Sequence, residues 1–143
     1  MPGRKTGGPV DVFAPLRRVL ESEGPLLADV LTGAVLDEEG VSSPGVDEAL
    51  LECALRLRER CVGRGSLEAG ITHQLLAGLH EDEARPSRAA RHYRVALAIY
   101  GKLPAAKGQL ATARAAYRRL LVKMGRKAEA RVKIKDVLKT AGN

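Results

Sequence analysis

The 143-residue chain has no tryptophan, one phenylalanine and three tyrosines, so aromatic residues make up only 3% of it. Readers of single-stranded nucleic acid need exposed aromatic faces on which bases can stack, and Tyr93, Tyr100 and Tyr117 fall at positions expected in a core. Long apolar runs are missing as well. None approaches the roughly 20 residues needed to span a bilayer. The opening "MPGRKTGGPV" is not followed by the apolar segment that a secretory signal carries. The expectation is a soluble cytoplasmic protein with no membrane partner.

Cysteine is equally scarce. Cys53 and Cys61 are the only two, and they fall eight residues apart in one predicted helix. Eight residues rise about 12 Å along a helix, whereas a disulfide needs Cα atoms within about 7 Å. The two thiols therefore cannot pair with each other and fit a reducing compartment.

Catalytic constellations are hard to find. His73 and His80 are seven residues apart, about 10 Å along a helix, too far to share an ion held about 2.1 Å from each ligand. Together with His92 they read as packed or partly exposed side chains. The acidic run "HEDEARP" (residues 80–86) ends a helix, where negative charge opposes the dipole; it reads as a solvated or Arg-paired loop. "GRKTGG" lacks the spacing of a phosphate loop. No nucleophile has a base evident beside it, so the sequence predicts a non-enzyme without metal, cofactor or small-molecule substrate.

What is present is helix. Ala, Leu, Arg, Glu and Lys dominate, and no segment alternates as a strand does. Residues 1–10 read as a flexible basic tail. Residues 11–45 read as two N-terminal helices and a loop: one helix from an Asp11 cap to a stop at Gly24-Pro25, then another from about Pro25 to Asp37. Five more helices are predicted at about 46–61, 66–81, 86–100, 106–124 and 126–140. The short Gly- or Pro-bearing links between them favour antiparallel hairpins.

The hairpins repeat. "ALAIY" at 96–100 follows "ALRLR" at 54–58 by 42 residues, and "VLK" at 137–139 comes 41 residues later. In the second helix of each hairpin a small, a bulky and another small or β-branched residue fall at steps of four and three: Ala89, Tyr93, Ala96, then Ala130, Ile134, Val137. Small residues let helices approach, and the bulky one fills the gap between hairpins. "AARHYRVALAIYGK" (89–102) and "GRKAEARVKIKDVL" (125–138), with a weaker copy "DEALLECALRLRE" (47–59), resemble the tetratricopeptide repeat, in the 41- to 42-residue form found in kinesin light chains. The likeness covers residues 46 to about 140. It implies an all-α fold of antiparallel helical hairpins stacked as a short tetratricopeptide-like solenoid, with an N-terminal capping helix and a concave surface lined by the first helices. There are departures: the small position filled by Ala77 becomes Arg118 in the next copy. Only the architecture carries over, not a cargo function.

Charge supplies the functional lead. Residues 1–84 carry 8 Lys+Arg against 15 Asp+Glu, whereas residues 85–143 carry 16 against 2. Arg85, Arg88, Arg91 and Arg94 recur every three residues, and Arg114, Arg118, Arg119 and Lys123 crowd the following helix. Like charges at helical spacing repel by a few tenths of a kcal/mol each, so folding does not ask for so many. The prediction is an interaction adaptor, a small subunit of a larger cytoskeletal or ciliary assembly, docking on an acidic protein surface. Arg4 and Lys5 of the tail would add to the contact. The alternative is an RNA-associated subunit using the same cations against phosphates.

Overall fold

In the computed structural model, which describes residues 14–36 and 43–125, the chain is all-α. The order is α1 (Ala14–Leu36), α2 (Pro44–Cys61), α3 (Leu67–Asp82), α4 (Pro86–Gly101), a 3-10 turn (Pro104–Ala106) and α5 (Lys107–Lys123). No strand occurs among the described residues. Each helix packs chiefly on its neighbours in the sequence, giving α1/α2 and α3/α4 hairpins followed by α5, a helical-repeat-like array. The predicted tail with Arg4 and Lys5, the Asp11 cap and the helix at 126–140 lie outside the described residues.

Local chemistry fixes the boundaries. Proline fixes φ near the helical value and lacks only an N–H that has no intrahelical partner in a first turn, and Pro44, Pro86 and Pro104 stand at such starts. Ser66 caps α3, its side-chain oxygen accepting from the Ala69 N–H at 3.1 Å. The C-terminus of α3 closes in a Schellman motif: the Arg85 N–H donates to the His80 carbonyl at 2.8 Å and the Ala84 N–H to the Glu81 carbonyl at 3.0 Å. The motif needs a left-handed residue, usually glycine; here it is Ala84, at φ 56°.

One expectation fails. Gly24-Pro25 does not separate two helices; α1 runs unbroken through both. A Cβ on Gly24 would lie 2.6 Å from the Cys61 sulfur of α2, so this glycine serves close approach between helices and not termination. Pro25 forfeits one backbone bond, and the packing of α1 along α2 carries the helix past it. The N-terminal element is thus one long helix paired with α2, not a separate cap followed by a second helix.

The core centres on α3, α4 and α5. Ala89, Tyr93 and Ala96 are buried, as are Tyr100 and Tyr117. The Tyr93 and Tyr117 rings meet at 6.2 Å and set the level of α5 against α4. Gly70 lets α3 settle onto α4, where an added Cβ would stand 2.7 Å from the Tyr100 ring. Asp47, Leu51 and Ala54, each 42 residues before the α4 trio, are buried too, so both second helices present the same face inward.

Between the hairpins sits a polar tie. The buried Arg58 of α2 donates to Thr72 Oγ1 of α3 and, at 2.8 Å, to Asp29 Oδ1 of α1. One guanidinium thereby joins three helices.

Candidate functional site

Three features compete for a functional role, and the first is a groove of about 930 Å³. Ile71, Leu75 and Gly78 of α3 line it, and so do Thr112, Ala116 and Arg119 of α5, each 41 residues further on. Equivalent positions of alternate helices therefore face one concavity, the geometry expected when hairpins stack with a small rotation per repeat. Asp47, Asp82 and Glu83 also border it.

The second is the basic surface of α4 and α5. Arg85, Arg88, Arg91, Arg118, Arg119 and Lys123 are exposed, and Arg94 and Arg114 half-buried. A three-residue step falls short of a helical turn, so the α4 series winds around the helix and its members meet different neighbours. Arg85 Nη1 reaches Glu48 Oε2 of α2 at 3.0 Å and Glu83 Oε2 at 3.2 Å, while Arg88 Nη1 reaches Glu48 Oε1 at 3.4 Å. The α4 stripe is thus divided: its first two arginines turn toward the acidic half of the same chain. Arg119 borders the groove and lies near enough to Tyr93 to act on its phenol. Arg91, Arg94, Arg114, Arg118 and Lys123 make no ion pair among the described residues.

The third is a histidine ladder where α2, α3 and α4 meet. His73 and His80 are buried, and half-buried His92 lies between them, its ring 5.2 Å from that of His73 and stacked 5.4 Å from that of His80. His73 Nδ1 and His92 Nδ1 are 3.0 Å apart, so one proton serves both nitrogens. Glu59 stands 3.7 Å from His73 Nε2, and His80 has Glu48 3.8 Å from Nε2 and Glu83 3.8 Å from Nδ1. Burial, then the neighbouring His73, His80 and Arg91, pushes His92 down to about 4, against a weaker pull upward from Glu48. Burial also lowers His73, opposed by Glu59. Near neutral pH these two rings are uncharged and pack as polar aromatics.

Sequence spacing alone missed this ladder, although a signal was present. In an antiparallel hairpin with α3 ending at Asp82 and α4 beginning at Pro86, residue 92 lies opposite residue 76, midway between 73 and 80. The acidic run divides as well. Glu81 accepts the Tyr93 hydroxyl at 2.6 Å, Glu83 pairs with Arg85, and Asp82 is exposed. Burial of its ring and the Glu81 bond raise the Tyr93 phenol, while burial pushes Tyr100 up to about 12.

No helix among the described residues is long and apolar enough to cross a membrane. Compared with models of protein families, with curated proteins and with solved structures, the chain matches none.

Proposed function

We propose that this chain is a non-catalytic interaction module of tetratricopeptide type, a cytoplasmic adaptor subunit that docks on an acidic protein surface through α4 and α5. The observation that carries the reading is a one-signed surface: residues 84–125 contain ten Lys and Arg and no Asp or Glu. Arg91, Arg94, Arg114, Arg118 and Lys123 are left without an acidic partner among the described residues. Such a surface repels itself in the free molecule and steers an oppositely charged partner toward it. The tyrosines favour protein over single-stranded RNA, because all three are buried and offer no stacking platform. A place in a cytoskeletal or ciliary assembly is the wider setting of the same proposal.

Replacing Arg91, Arg94, Arg114 and Arg118 together with glutamine tests it, since glutamine is a comparable helix former. Cross-linking mass spectrometry of the native protein should join α4 and α5 to Asp- and Glu-rich peptides, and the quadruple variant should lose those cross-links at physiological salt. Unchanged cross-links would reduce the cations to a solvated face. Co-purifying nucleic acid, seen in the ratio of ultraviolet absorbances and released by salt, would favour the RNA reading.

A further inference from the structure

Outside that docking surface, one cluster has unmet chemistry. Glu48 of α2, His80 of α3 and Glu83 at the end of α3 each bring a ligating atom to within 4.8 Å of the others. His80 is only 2% exposed, and its Nδ1 has no hydrogen-bond partner. Glu83 is 9% exposed, and neither of its carboxylate oxygens accepts a hydrogen bond. Its compensation is the Arg85 guanidinium, whose Nη1 lies between Glu83 Oε2 and Glu48 Oε2. Arg85 is itself 43% exposed and can swing into solvent.

We propose that Glu48, His80 and Glu83 form a site for a zinc-class divalent cation, which enters by displacing the Arg85 guanidinium from between the two carboxylates. Charge favours the exchange, because two carboxylates match a dication better than a single guanidinium. Donor type selects the metal: one imidazole nitrogen with two carboxylate oxygens suits zinc, whereas magnesium and calcium prefer all-oxygen shells. Donors around a tetrahedral zinc are about 3.4 Å apart, from bonds of about 2.1 Å. The 3.8 Å gap between His80 Nδ1 and Glu83 Oε2 is already near that, and Glu48 closes the remainder by side-chain rotation. Water fills the fourth position, and Arg88 stays on Glu48 Oε1. The ladder sits behind the site, with His92 stacked on the liganding ring.

The test uses the full chain with Cys53 and Cys61 changed to serine, which removes thiol ligands, and titrates it calorimetrically with zinc alone. One equivalent should bind. Arg85→Ala should bind about tenfold more tightly, because the competing cation is gone, and Glu83→Gln should weaken binding by about tenfold or more. Arg64→Ala, an exposed position outside both the cluster and the docking surface, should change nothing, and magnesium should give no heat. Tighter binding without Arg85 is the informative sign, since an adventitious surface site would not respond to it. The absence of stoichiometric zinc binding by Arg85→Ala overturns the proposal, as does affinity indifferent to Glu83→Gln. X-ray absorption of the zinc-loaded protein needs no variant in the liganding set: one imidazole with oxygen neighbours supports the site, and a shell of two or more imidazoles, placing the ion between His73 and His92, refutes it.

Discussion

The α1/α2 and α3/α4 hairpins follow one inward-facing pattern and fill it with different chemistry. Where α4 buries Ala89, Tyr93 and Ala96, α2 buries Asp47, Leu51 and Ala54. Both hairpins have a close glycine contact, Gly24 on Cys61 and Gly70 on Tyr100, and the second is further sealed by tyrosine rings. The first depends on the Arg58 tie and leaves Leu26 and Val30 of α1 more than 60% exposed. A repeat therefore conserves positions and spacing before it conserves the means of stabilisation, and the aromatic copy should be the stronger of the two.

The largest effects should come from the paired core positions. Tyr93→Ala is expected to cost about 4 kcal/mol and Leu51→Ala about 3 kcal/mol, the ranges for truncating buried aromatic and aliphatic side chains. Urea melts would show it, and a loss under about 1 kcal/mol for Tyr93→Ala would break the comparison. Next come the glycines. Gly70→Ala and Gly24→Ala each push a Cβ against the facing helix and should cost about 2 kcal/mol. Gly33, on the same helix as Gly24, has nothing within 4 Å of an added Cβ; Gly33→Ala should stabilise by about 0.5–1 kcal/mol. Equal signs at Gly24 and Gly33 would contradict the close approach of α1 to α2.

Acid should strike where the ladder joins the hairpins. His73 and His92 lie below their ordinary value of 6.5 in the folded chain, His92 at about 4, so the unfolded chain binds the more protons between those limits. Their contribution is complete above about pH 6.5 and is lost as the pH falls below it, for His92 progressively toward about 4. His92→Gln should flatten that part of a stability–pH curve measured by thermal melts, and an unaltered slope would assign it to other groups. A similarly small effect is expected at the Schellman turn. Ala84→Gly should stabilise by about 1 kcal/mol, since φ 56° suits glycine.

Helices α2 to α5 were legible in the sequence to within about two residues at each end, because Pro44, Pro86, Ser66 and Pro104 punctuate them with local chemistry. The single α1 was not legible. A Gly-Pro pair reads as a stop to any local rule, and only Cys61, brought opposite by the hairpin, gives Gly24 its reason. The arginines on α4 and α5 were visible as a list, but not the division that sends Arg85 and Arg88 back to Glu48, which lies 37 and 40 residues away. Glu48, His80 and Glu83 were each ordinary in isolation. Their unmet atoms exist only after burial.

Because contacts run mainly between sequence neighbours, little loop-closure entropy stands before any one of them, and the chain should fold quickly for its length. Such an array need not open all at once. The tyrosine-sealed α3/α4 pair is the natural nucleus, and structure would grow outward from it in steps weighted by each interface. Slowest amide exchange should then fall in α3 and α4, with α1 trading its protons through openings far smaller than global unfolding.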